Sequence, residues 1–266
     1  MGRRLQIDRC GPIAEVFLDR GERHNALDLE MFLALEEALD LLRDDRSIRA
    51  VVLAGTGPSF CSGLDLAAWA SGGLDPQKLT GRPENEDANL AQRVSYGWRE
   101  LPVPVIAAVH GVCFGGGLQI ALGADVRLVD ADARFSIMEV KVGLVPDMGL
   151  SQTLPRLVRE DVARELTYTA RVIGAAEAVD CGLATRICAD PLQAARELGT
   201  EIAACSPDAV RAAKRLFSEA WGTTPARALR QETALIERLF GGANQIAAAK
   251  AAATGEPAEF VDPPAA

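Results

Sequence analysis

Several signatures of common chemistries are scarce or missing in this chain. There are two histidines in 266 residues, and the six cysteines (Cys10, Cys61, Cys113, Cys181, Cys188 and Cys205) form no CxxC pair and have no histidine at zinc spacing. A bound metal is therefore not expected. The same cysteines fit buried thiols in a reducing compartment, so a cytoplasmic location is expected. No GxGxxG and no P-loop lysine occurs, which weighs against a dinucleotide or nucleoside-triphosphate site. No apolar run is long enough to span a membrane, and Met1 to Cys10 lacks the apolar core of a signal peptide. Positive charge is also short: the formal net charge is -9. That balance argues against nucleic acid or a membrane surface as the main partner, while leaving room for a local basic patch. No internal repeat is visible.

The stretch Val105 to Val129 is the most informative part. Val105 to Val109 reads as one buried strand. His110 and Gly111 break it. Gly115, Gly116 and Gly117 then open an apolar-periodic run, Leu118 to Leu122, that predicts a helix. Asp125 to Val129 reads as the next strand. A strand, a glycine turn and a helix start put bare backbone N–H groups together, with the positive end of the helix dipole behind them. Glycine lets a substrate oxygen approach, because no Cβ intervenes. This favours stabilisation of a developing oxyanion. The alternative is a tight turn with close helix packing, and both readings stand at this point.

The rest of the chain predicts a mixed α/β fold. Ile13 to Asp19 is a strand. Asp28 caps a helix over Leu29 to Arg43, with Met31, Leu35, Leu39 and Leu42 on one face. Ala50 to Ala54 is a buried strand, followed by a second small-residue loop holding Ser62, Gly63 and Asp65. Ala70 to Asn89 reads either as a mobile loop over the site or as an ordinary surface insertion, and Leu90 to Leu101 as a helix with Trp98 buried. A short strand over Ala133 to Ile137 leads into MEVKVGLVPDMG, which places Glu139 and Asp147 on either side of a Gly143/Pro146 bend. Helices follow around Asp161 to Thr169 and Ala175 to Cys181, with a strand at Leu183 to Ile187. Four helices complete the chain: Leu192 to Ala204, Pro207 to Trp221, Pro225 to Phe240 and Ala243 to Ala253. The proline-rich tail from Thr254 reads as disordered. A composition shift divides residues 1–190, a sheet-containing core, from residues 191–266, a helical region suited to packing on another chain.

Five segments together resemble the crotonase, or enoyl-CoA hydratase/isomerase, superfamily. They are HNALD, FCSGLDL, VIAAVHGVCFGGGLQIALGAD, FSIMEVKVGLVPDMG, and ELTYTAR with AVDCGLA. They run in the family's order and spacing from about Ile13 to Ala189. The resemblance implies a spiral of repeated ββα units with a helical C-terminal trimerisation region, as a trimer or a dimer of trimers. It implies an acyl-CoA substrate, with coenzyme A as part of the thioester and no separate cofactor. By resemblance, the N–H groups of Leu64 and Gly116 form the oxyanion hole. Arg23, Ala26, Ser62, Gly63, Asp65 and Leu66 fall in the loops that would hold the CoA; Arg23 reads either as charge for a phosphate or as a solvated loop arginine, and Asp65 also reads as a simple loop cap.

The family's hydratases carry two acids beside the thioester that hold one water. Here the first position is Gln119 and the second is Glu139. A glutamine positions a water but exchanges no proton at neutral pH. A carboxylate at Asp147 resembles the dienoyl-CoA isomerase branch, whose acid at position 119 is also missing here. The favoured expectation is double-bond isomerisation, with Glu139 as first base and Asp147 as second. The alternatives are an enoyl-CoA hydratase using Glu139 and a Gln119-held water, a thioester hydrolase or acyl transferase, and a CoA-binding protein without turnover. His24, His110, Cys61 and Cys113 lie near the matched loops without partners that would make them bases or nucleophiles.

Overall fold

A computed structural model describes residues 4–264. The strands are β1 Leu5–Cys10, β2 Ile13–Leu18, β3 Ala50–Gly55, β4 Val105–Val109, β5 Val112–Phe114, β6 Val126–Val129, β7 Arg134–Ser136, β8 Ile173–Gly174 and β9 Arg186–Ile187. The helices up to the last strand are α1 Leu29–Asp44, α2 Leu66–Ala70, α3 Pro76–Thr80, α4 Leu90–Glu100, α5 Gly116–Gly123, α6 Leu150–Thr153, α7 Glu160–Thr169 and α8 Ala175–Asp180. Four more follow: α9 Pro191–Ala203, α10 Pro207–Ala220, α11 Pro225–Leu239 and α12 Ala243–Thr254.

Six strands form the main sheet in the order β1-β2-β3-β4-β6-β9. The β1–β2 pair is antiparallel and the other neighbours are parallel. Three strands form a second sheet, β5-β7-β8. Twice the chain passes from a main-sheet strand directly to a second-sheet strand: β4 to β5, then β6 to β7. The first of these continues into α5. A bridge between Cys61 and Cys113 starts the same step after β3. This is the strand–strand–helix turn of the expected spiral.

The sequence explains the central strands. β3 (AVVLAG) and β4 (VIAAV) are almost continuously apolar because both faces are covered. Val51, Leu53, Val105, Ala107 and Val109 face the larger core, with α1, α4 and α5. Val52, Ala54, Ile106 and Ala108 face the other way, toward Ala195, Leu192 and Leu198 of α9. Asp28 caps α1 by accepting the Met31 N–H at 2.9 Å, as its position predicts. Trp98 is fully buried, as expected.

Three expectations need correction. The boundary at 190 is not a break in packing, since α9 lies on the main sheet and completes its second face. The helices that leave the core begin with α10. The segment 70–89 is not a loose loop. It contains α3, capped by Asp75, and buries Leu74 and Leu79 in the main core. The tail as far as Pro264 is not free either. Val261 exchanges two hydrogen bonds with Asn244, at 2.9 Å each, and Phe260 lies under the Arg49 guanidinium at 5.8 Å.

Candidate active site

Two loops meet at the start of α5. Asn25, in the HNALD segment, has φ +54 and stitches them together. Its Nδ2 donates to the carbonyls of Thr56, Ser59 and Phe60 at 2.8 to 3.1 Å, and its Oδ1 accepts the Arg20 N–H at 2.8 Å. The Leu27 N–H donates to Gly63 O at 2.8 Å and the Asp65 N–H to Leu27 O at 3.0 Å. The FCSGLDL loop is thereby fixed against the first loop.

The glycines then bring it against α5. At Gly63, φ is +88, and a Cβ would lie 2.7 Å from Phe114 O and 3.4 Å from Gly116 N. Leu64 therefore follows a residue in direct contact with the helix start. Neither the Leu64 nor the Gly116 N–H donates to a protein group among the described residues. Two neighbouring, unsatisfied donors at a helix N-terminus suit an oxyanion.

The glycine triplet divides its work. Gly115 adopts φ +50, ψ -123, a conformation L side chains avoid. A Cβ on Gly116 would lie 2.8 Å from Met148 Sδ and 2.9 Å from Leu27 Cδ1. On Gly117 it would lie 2.5 Å from Cys61 O. The packing reading thus holds for Gly117, while Gly115 and Gly116 shape the donor pair.

Glu139 begins a 3₁₀ turn, Glu139–Val142, shortly after β7, and is 9% exposed. Its carboxylate Oε1 accepts from Gln119 Nε2 at 2.6 Å, and Gln119 Oε1 accepts from the Met148 N–H at 2.9 Å. Glu139 Oε2 is buried without a partner among the described residues. Gly115 sits against this carboxylate, its Cβ position 3.5 Å from Oε1. The base candidate and the donor pair therefore share one site. Burial raises the Glu139 pKa above the ordinary carboxylate value; the Gln119 amide opposes that rise and the Asp147 charge adds to it. Asp147 reaches the surface, yet local burial raises its pKa as well. The Asp147 charge thus reaches the Glu139 carboxyl.

The CoA-side residues differ in what they have left to offer. Asp65 is engaged in the protein. Its Oδ1 accepts the Ala67 and Ala68 N–H groups at 3.1 and 3.0 Å, and its Oδ2 accepts Arg20 Nη1 at 2.7 Å. Burial works against its ionisation, but the Ala68 N–H and Arg20 outweigh it and hold the pKa below the usual value. The loop-cap reading of Asp65 describes these contacts: its oxygens cap α2 and anchor Arg20. Arg23 is half exposed, with Nη2 3.9 Å from Asp65 Oδ1, and is open to an anion. Ala26 is buried, Ser62 and Gly63 line the loop junction, and Leu66 is exposed.

His24 Nδ1 pairs with Ser59 Oγ, and His110 Nε2 with Gly57 O, at 2.9 Å each; both are loop ties. Burial pushes the Cys61 thiol up to about 12 and the Cys113 thiol well above its ordinary value, so neither is a nucleophile. Sequence reasoning missed Arg20, Asn25 and Met148. The two loop positions carried a faint signal inside DRGERHNALD. Met148 acts through its backbone and carried none.

A family model described as enoyl-CoA hydratase/isomerase matches residues 9–251. The chain is 37% identical over 216 residues to the mitochondrial Delta(3,5)-Delta(2,4)-dienoyl-CoA isomerase of Rattus norvegicus, covering 76% of this chain. It spans 64% of that relative's length. It is 35% identical over 223 residues to the carnitinyl-CoA dehydratase of Salmonella typhi, covering 82% of this chain and 81% of that one. Among solved structures, the enoyl-CoA hydratase of Bacillus anthracis superposes with a TM-score of 0.88 at 26% identity, covering 97% and 98% of the two chains. The enoyl-CoA hydratase of Mycobacterium tuberculosis H37Rv gives 0.86 at 30% identity, covering 98% and 99%. The chain belongs to the enoyl-CoA hydratase/isomerase family, the crotonase superfamily.

Proposed function

We propose that this family member moves a double bond along an acyl-CoA, with Glu139 as the base and Asp147 as the partner acid at the far end of the shift. The observation that carries the reading is the buried Glu139 carboxylate, whose Oε2 has no partner among the described residues and which lies against Gly115, next to the unsatisfied Gly116 N–H. Glu139 takes a proton from the carbon next to the thioester. The electron pair moves into the new double bond and onto the thioester oxygen. Leu64 and Gly116 N–H groups stabilise that enolate oxygen, each donor worth about 10²–10³ in rate. A proton returns at the remote end of the conjugated system, from Glu139 for a one-bond shift or from Asp147 for a dienoyl substrate. No group is oxidised and no atom is gained. Coenzyme A enters as part of the substrate, and Arg23, Ala26, Ser62, Gly63 and Leu66 line its path. No resident cofactor takes part.

The 37% identical isomerase supports this reading. A second reading, elimination or addition of water across the 2,3 bond, is favoured by the carnitinyl-CoA dehydratase relative. It uses the same base and the same donors. Product analysis on 2-enoyl-, 3-enoyl- and 3,5-dienoyl-CoA separates them, because only the second changes the mass by one water.

The same reading includes self-association. The α10–α12 helices leave Phe217, Trp221, Leu229, Ile236 and Phe240 exposed. An apolar surface of this kind suits a homotrimer or a pair of trimers.

A further inference from the structure

By residue type, Gln119 fits the proposed chemistry least, since its amide carries no proton between substrate atoms. Its surroundings give it a different task. The Met148 N–H offers a proton and no lone pair, so the amide oxygen must face Met148. That turns the NH₂ group toward Glu139 Oε1, where it donates at 2.6 Å. The reverse orientation would set oxygen against oxygen and hydrogen against hydrogen. The Gln119 backbone is fixed too: Ser95 Oγ donates to its carbonyl at 2.6 Å, and its own N–H donates to Gly115 O at 3.0 Å. The residue is 2% exposed.

We infer that Gln119 is a positioning residue whose amide clamps Glu139 Oε1, so that Oε2 alone acts on the substrate. The inference rests on the reading of Glu139 as the base. Both ends of the amide are engaged in the protein, the oxygen by the Met148 N–H and one N–H by Glu139 Oε1. A clamped one-oxygen base suits proton movement between carbons of the same substrate.

The charged groups around Glu139 are few. Asp147 acts on it directly. Helix α7 packs against its turn, but Glu160, Asp161 and Glu165 there are paired with Arg164, Arg159 and Arg171. Lys141, on the turn itself, is exposed.

The test reads the Glu139 carboxyl itself and needs no turnover. Protein labelled with carboxyl-¹³C glutamate is titrated by NMR, and the Glu139 signal is identified by its loss in Glu139→Gln. In Gln119→Leu the Glu139 titration moves up by about one pH unit, the size expected for a lost hydrogen bond to a charged group. In Gln119→Glu, which keeps an acceptor for Met148, it moves further, because two carboxyls then share one proton. This second variant also serves if the leucine variant folds poorly. With an active substrate, the acid limb of kcat/KM moves by the same amount, kcat falls about tenfold and KM stays within twofold. A Glu139 titration unchanged in both variants overturns the inference. So does hydration of 2-enoyl-CoA by the parent that is lost in Gln119→Leu while Glu139 titrates as before. If no enoyl-CoA is turned over, the isomerase reading fails, and the titration still decides the role of Gln119.

Discussion

Burial gives Glu139 its character. A carboxylate with one clamped and one unpartnered oxygen is costly in the folded protein and useful as a base. The base form is the ionised one, so activity should rise as pH increases through a folded pKa above the ordinary glutamate value. Stability runs the other way. With the folded pKa raised, the stability this group contributes is fully present below its unfolded value and is lost as pH rises through the folded one. Glu139→Gln should therefore lower kcat by about 10²–10⁴-fold while raising stability at neutral pH on the order of 1 kcal/mol. Thermal denaturation of the two proteins at pH 5 and pH 8 checks the sign, since the gain should shrink at the lower pH. Asp147→Asn should spare a 3-enoyl substrate within about threefold and reduce a 3,5-dienoyl substrate by at least about 10²-fold; kcat on both substrates checks it. The sequence singles out Glu139, Gln119 and Asp147 because they stand at motif positions, and the structure pairs the first two. Asn25 was not, because its role consists of hydrogen bonds to Thr56, Ser59 and Phe60, more than thirty residues away.

At the level of elements, α5 is organised by what its glycines exclude. Gly117→Ala would set a methyl 2.5 Å from the Cys61 carbonyl, and backbone has little room to yield. It should cost about 1–3 kcal/mol of stability, measured by urea denaturation, through overpacking. The donor pair depends on that approach, so activity should fall with it. The strongly periodic helices and the apolar strands β3 and β4 were legible for the same reason: both faces or one full stripe had to be buried. β1 was not, because it is an edge strand whose sequence LQIDRC exposes all but Leu5. β5 was not, because three residues carry no period. The tail was misread because proline content says nothing of docking, and Asn244 and Arg49 supply partners from distant segments.

At the scale of the whole molecule, α10–α12 carry an apolar surface that the single chain does not cover. Replacing Trp221 and Phe240 together by glutamate should abolish the proposed self-association: by sedimentation velocity the parent is expected as a trimer or larger and the variant as a monomer. The charge distribution at the site should change little, since neither residue lies in the loops around α5. The central claim is the proposed double-bond shift on an acyl-CoA. Its most direct test is a product assay on the purified protein with 2-enoyl-, 3-enoyl- and 3,5-dienoyl-CoA, resolved by chromatography and mass. The account predicts an isomer of unchanged mass from the 3-enoyl or dienoyl substrate, absent in Glu139→Gln. A product heavier by one water from the 2-enoyl substrate, with no isomer from the others, would contradict it.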